Sequence, residues 1–374
     1  MFSLVILSGT IRRVQWEPGC AGRWPAVHIP DSVIPHLDWR AGSGILRRMH
    51  PYNATLYRIV LVLAAVYNLA FGVWAGVWPH AFFRWFEMDP PRYPAIWQCL
   101  GMVIGVYGLG YGYAAVWLDR ARPLVAIGLV GKVLGPIGWV VTVNSGEWPA
   151  RTFTIIAFND LLWWVPFGLL LAEGTALAER IRRFAPYACG VLNGLGAAAL
   201  LFLLRGGSEL VPDLTARTAY ISEHVVAWRV GWTVWMAAGV SLVAFYAWWG
   251  ARLPSTAWGV AGTSVAAAGL VCDWFAESLY IGWWPQDLET LGPIGSLLTG
   301  GVANGLYTIG GMILTLGTRS VHGSFAVWTW IMWASGIAVS IAAFTGSVHV
   351  LAAATGVLFV LFCPWCIVLG RRLQ

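Results

Sequence analysis

The chain has little charge and almost no lysine. Asp, Glu, Lys and Arg make up 11% of its 374 residues, and Lys132 is the one lysine among them. A soluble domain carries roughly 25% charged residues, so this composition cannot supply the water-facing surface of a globular fold. The alternating ten-residue segments of a membrane β-barrel are missing too. So are a phosphate-cradling glycine loop and any pair of histidines at metal-ligand spacing, which argues against energy coupling by bound ATP. Six cysteines, at 20, 99, 189, 272, 363 and 366, are too scattered to form the disulfide framework of a small secreted fold. The short apolar run at residues 2–7 lacks the preceding basic region of a secretory signal. The net charge is +6, but the arginines sit in short loops between apolar blocks and form no basic domain, which excludes nucleic acid as a partner.

Hydrophobic residues are plentiful, at 58%. They fall in blocks of about 20, the length that crosses a hydrocarbon core of about 30 Å at 1.5 Å per helical residue. Lipid offers the backbone no hydrogen-bond partners, so helices are the expected form. The pattern predicts an all-α polytopic transmembrane bundle of about ten helices, near 59–78, 95–118, 123–143, 153–172, 187–205, 226–250, 256–281, 291–317, 325–345 and 347–369. The narrowest break is Thr345-Gly346-Ser347; without a turn there, nine spans would remain. Charge concentrates in the connector from Glu173 to Pro186, which holds Glu179, Arg180, Arg182 and Arg183 and is read as the boundary between a four-helix bundle (49–175) and a six-helix bundle (176–374). The loop at about 206–225, with Glu209, Asp213, Glu223 and His224, reads as solvated surface. Residues 1–48, rich in arginine and proline without helical or strand period, read as a disordered cytoplasmic tail or as translation upstream of the true start. Sixteen arginines fall on one side of the alternating loops and six on the other, a bias that places both termini in the cytoplasm.

Tyr67 to Gly72 in the first helix, Gly131-Lys132 before Leu134 to Gly138 in the third, and Asn159-Asp160 in the fourth resemble uncharacterised bacterial four-helix membrane proteins of a DoxX-like type. The resemblance covers about residues 55–175. It implies a compact four-helix bundle in a bacterial cytoplasmic (inner) membrane, sometimes associated with redox or quinone-linked systems, and carries over no catalytic residue. The pentapeptide Leu134 to Gly138 recurs as Leu291 to Gly295; in the expected topology both copies lie in the outer half, whereas an inverted repeat would mirror them across the midplane.

Three groups of residues carry potential chemistry. Lys132 lies near mid-membrane, where an ammonium costs about 3 kcal/mol or more unless paired; Asp160 lies about 6 Å away by helical rise, and the two are expected to form a buried pair supplemented by Asn68 and adjoined by Asn159. This pair either fixes packing or binds an anionic group or relays protons. Asp273 and Glu277 share a helical face, with Asn304, Tyr307 and His349 at similar depth. They read as a site where a proton or cation enters, or as carboxylates that bond Asn304 and Tyr307 or reach the interface. Cys363 and Cys366, spaced as in thiol oxidoreductases, read as inert buried thiols, as a redox pair or as soft-metal ligands.

The 25 tryptophans cluster near predicted helix ends, including Trp248 and Trp249, as an interfacial belt does; Trp163 and Trp164, nearer mid-membrane, could instead stack on an isoprenoid, quinone or pigment. Three functions remain open: a transporter or channel for a small molecule, ion or proton; an enzyme or redox subunit acting on a lipid, isoprenoid or quinone; and a structural subunit of a membrane complex. The partners these imply are the lipid bilayer and a small-molecule, lipid or quinone ligand. No motif specifies a cofactor.

Overall fold

The computed structural model describes residues 49–283, 287–319 and 321–374; the expectation for residues 1–48 lies outside them. Among the described residues ten helices are long and apolar enough to cross a bilayer: α1 (Pro51–Val77), α2 (Pro94–Val116), α3 (Leu118–Asn144), α4 (Ala150–Ala172), α5 (Ala176–Gly207), α6 (Val225–Gly250), α7 (Thr256–Gly282), α8 (Leu288–Leu316), α9 (Gly323–Phe344) and α10 (Val348–Leu373). Two short helices, Ala81–Trp85 and Leu214–Glu223, fill connectors. No strand occurs among the described residues. The chain is an all-α polytopic membrane protein.

Local chemistry sets the helix ends. Proline opens α1 and α2, where its missing N–H is no loss. Between α9 and α10 the chain reverses in three residues: Gly346 takes φ +68°, its N–H bonds the Ala343 carbonyl, and the Ser347 N–H bonds Ala342. This crossed pair of bonds with a left-handed glycine is a Schellman turn, so the narrow break is real and the count stays even.

Two expected boundaries are wrong. α1 begins at Pro51, eight residues before the expected start, because His50 caps it by accepting from the Tyr52 N–H at 3.3 Å. The connector expected to run to Pro186 ends at Thr175, which caps α5 by accepting from the Ala178 N–H at 3.3 Å. Charge is misleading here: Glu179 to Arg183 belong to the first turns of a helix that runs on through Pro186.

Small residues let the helices approach closely. A Cβ on Gly72 of α1 would lie 2.8 Å from the Gly101 carbonyl of α2 and 2.9 Å from the Gly105 backbone, the close crossing that small residues at four-residue spacing permit. One core joins α1 to α4 around Leu61, Tyr111, Trp163 and Phe167. A larger one joins α5 through α10 around Phe245, Trp249, Trp333 and Trp365. Trp248 and Trp249 are therefore core residues and not part of an interfacial belt.

Polar contacts link the regions on either side of the connector. The Tyr52 hydroxyl of α1 lies 2.8 Å from Thr263 Oγ1 of α7. Glu173 pairs with Arg182 of α5 and accepts at 2.7 Å from the Tyr57 hydroxyl of α1.

Candidate functional site

The first candidate site lies where α3 meets α4. α4 is interrupted by a π-turn at Ala157–Leu161, and such a turn releases backbone carbonyls from the regular ladder. Side chains take them up: Trp163 Nε1 donates to the Phe158 carbonyl at 2.8 Å, and the Lys132 ammonium donates to the Asn159 carbonyl. Pro136 has no N–H to offer the Lys132 carbonyl four residues back, and Trp164 Nε1 donates to that carbonyl at 3.0 Å. The two mid-membrane tryptophans thus repair interruptions in two helices.

Lys132 and Asp160 are both buried and attract each other, but the carboxylate is not in direct ion-pair contact with the ammonium, so the expected pair is an indirect one. The ion pairs among the described residues are Arg151–Glu87 and Arg182–Glu173. Asp160 Oδ1 instead accepts from Asn159 Nδ2 at 2.9 Å, and Oδ2 rests against Gly135, where a Cβ would come within 2.5 Å. The ammonium finds the released carbonyl first, one residue short of the carboxylate, and lies 5.7 Å from the Trp163 ring centroid. Asn68 is buried but does not join in; its Oδ1, like Asn159 Oδ1, has no partner.

The second site is built around a cavity. A space of about 490 Å³ lies among α5, α6, α7, α8, α9 and α10, within the range of small-molecule pockets. Its walls are largely aromatic and aliphatic, with Trp228, Trp232, Trp235, Trp333 and Phe359 prominent. Two more π-turns border it, Leu200–Leu204 in α5 and Leu297–Ala303 in α8. Leu201 on α5 and Val360 on α10 line the cavity yet are 60% and 74% exposed. Exposed apolar side chains of α5 and α10 therefore stand at its edge.

Inside, the cavity reaches Asp273 on α7. This side chain is buried; its Oδ2 accepts from the Tyr307 hydroxyl of α8 at 3.0 Å, and its Oδ1 has no partner. Glu277, one turn on, is 0% exposed, and neither carboxylate oxygen is bonded. It lies on the α7 face between two lining residues, Asp273 and Tyr280, and the Trp232 indole N–H on the facing helix is also buried and unpartnered. Carboxylates so placed are costly, and they offer acceptor oxygens to any donor that enters.

The other expected members of this group are elsewhere. Asn304 lines the cavity, but its amide donates to the Gly336 carbonyl at 2.7 Å and to Ser340 Oγ at 2.9 Å, tying α8 to α9. His349 is exposed in the first turn of α10, and no group of three His, Cys, Asp or Glu among the described residues could hold a metal. Glu277 neither reaches an interface nor bonds Asn304 or Tyr307. Cys366 is buried against Cys189 of α5, with 3.8 Å between sulfurs, and Cys363 is half-buried on the same helix. Cys366 is thus in contact with a thiol of another span.

Two features of the cavity escape sequence reasoning. Glu209 reads as solvated surface and Arg205 and Arg217 only as loop charges, yet all three line the cavity. The wall tryptophans do not stand out among so many others, although Trp228, Trp232 and Trp235 occur at 3- to 4-residue spacing on α6, a legible stripe. No family model, curated protein or solved structure matches the chain.

Proposed function

We propose that this membrane protein acts on an amphiphilic molecule of the bilayer, of lipid, isoprenoid or quinone type, that enters sideways between α5 and α10. The observation that carries this reading is the continuity of one aromatic-walled cavity from the exposed Leu201 and Val360 to the buried Asp273 carboxylate. Asp273 is the group positioned to accept or return a proton at the ligand's functional group, and Tyr307 holds it in place. A large apolar pocket with a few convergent polar groups is the usual form of a ligand site. The resemblance of residues 55–175 to DoxX-like proteins and the arginine bias support placing the protein in a bacterial inner membrane with both termini cytoplasmic. Movement of a proton or cation is the second reading, favoured by the unbonded oxygens of Glu277 and Asp273.

Gly356 of α10 lines the cavity, and a Cβ built on it meets nothing within 4 Å, so Gly356→Phe should narrow the cavity while leaving the backbone of α10 undisturbed. The full chain, purified in a non-ionic detergent and extracted with organic solvent, should yield a bound apolar molecule that Gly356→Phe loses and Asp273→Asn retains. In cells, Asp273→Asn should cause that molecule to accumulate. Equal extracts from wild type and Gly356→Phe would refute the lateral-access reading. Proton flux into protein-loaded vesicles that Glu277→Gln abolishes would favour transport instead.

A further inference from the structure

The cavity ends in a cationic rim. Arg205, in the last turn of α5, and Arg217, in the helix Leu214–Glu223, both line it, and both flank Gly207. Arg217 Nε donates to the Gly207 carbonyl at 3.2 Å, which fixes the guanidinium, and a Cβ built on Gly292 would lie 3.6 Å from its Nη2. Among the described residues neither arginine belongs to an ion pair. The rim and the acid lie along one wall. The Tyr280 hydroxyl donates to the Gly292 carbonyl at 3.2 Å, and Tyr280 is seven residues beyond Asp273 on α7, about 10 Å at 1.5 Å per residue.

We infer that Arg205 and Arg217 bind a phosphate in the headgroup of the amphiphile whose apolar part fills the cavity. This inference rests on the lateral-access reading above. Two guanidinium groups from different elements favour phosphate over carboxylate: one planar fork already satisfies the two oxygens of a carboxylate, whereas a phosphate has further oxygens for a second fork. Glu209 at the same rim limits the negative charge that fits, so the headgroup carries a single phosphate. An adjoining ammonium, as in an ethanolamine headgroup, would meet Glu209.

The test uses the full chain in a non-ionic detergent free of phospholipid. Binding is measured by native mass spectrometry and by thermal shift for a polyprenyl monophosphate, the polyprenol of equal chain length, a phosphatidylethanolamine and the matching diacylglycerol. At least one phosphate-bearing member of these pairs should bind about tenfold or more tightly than its uncharged counterpart, as charge-assisted hydrogen bonds give; the pair that does so identifies the source. The Arg205→Gln, Arg217→Gln double variant should remove that preference while leaving the uncharged partner's binding unchanged, and Arg217→Lys should retain part of it. Equal binding within both pairs, or an equal loss of charged and uncharged partners in the double variant, would overturn the phosphate site. Gly356→Phe separates the two ideas: it should weaken every amphiphile, and if it weakens none the cavity itself is not the site.

Discussion

At the scale of single residues, Lys132 shows how a buried charge settles for the nearest acceptor. Its ammonium bonds a backbone carbonyl freed by a π-turn, with Asp160 held beside it through Asn159. Lys132→Met should cost about 3 kcal/mol, because it leaves the carbonyl and the carboxylate without their cation. Lys132→Gln still donates to that carbonyl and should cost about 1 kcal/mol. Denaturation of the purified protein in mixed micelles measures both, and equal losses would mean that charge alone matters. Asp273 and Glu277 should respond in opposite ways. Tyr307→Phe removes the one hydrogen bond on Asp273 and should destabilise by about 1–3 kcal/mol. Glu277→Gln replaces a buried carboxyl that has no partner and should be neutral or stabilising in the same assay. The depth of these groups is legible from their places in apolar blocks. Their bonding is not, since Glu277 and Asn304 both have plausible partners in sequence and the fold sends Asn304 to α9.

At the scale of elements, ten apolar blocks make the ten spans legible, because length and hydropathy alone decide whether a segment crosses a bilayer. The π-turns are hidden. Each adds one residue to a helix without changing its apolar character, and the three among the described residues fall at Ala157–Leu161, Leu200–Leu204 and Leu297–Ala303, all beside the two candidate sites. Gly300-Gly301 within the third is the only compositional hint of them. The extra residue sets which way the downstream turns of the helix face. Deleting Thr299 should convert that turn to regular α-helix and rotate the upstream part of α8 against Asn304 and Tyr307 by about 100°. Either the Asn304–Ser340 and Tyr307–Asp273 bonds or the packing of Leu288–Ser296 is then lost. The expected outcome is a sharply reduced yield of monodisperse protein in size-exclusion chromatography. A conservative Thr299→Ser, which keeps the register, should behave as wild type.

At the scale of the whole molecule, the boundary at Glu173 to Thr175 is a covalent link between regions that also hold each other without it. Gly174 turns the chain there with φ +79°. Around it Glu173 pairs with Arg182, Tyr57 bonds both, and Arg122 bonds the Glu173 carbonyl. Further along, Tyr52 meets Thr263, Ser278 donates to Thr154 Oγ1 at 3.2 Å, and Gly282 packs on the backbone at Ala150 and Arg151. A sequence shows the charged connector but not these contacts, of which those made by Tyr57, Tyr52, Ser278 and Gly282 join residues more than 100 positions apart. They predict that the chain can be cut at Gly174. Residues 1–174 and 175–374, co-expressed as separate polypeptides with a tag on one, should co-purify from membranes as one complex. Arg182→Met should lower recovery several-fold, since a half-buried pair that loses its cation falls between the roughly 1 kcal/mol of exposed pairs and the roughly 3–5 kcal/mol of buried ones. Tyr57→Phe, which keeps the ion pair and loses one hydroxyl, should lower it less. If the tagged half is recovered alone, the contacts across the boundary are too weak to hold the halves together, and the four-helix and six-helix parts are independent domains joined by the chain.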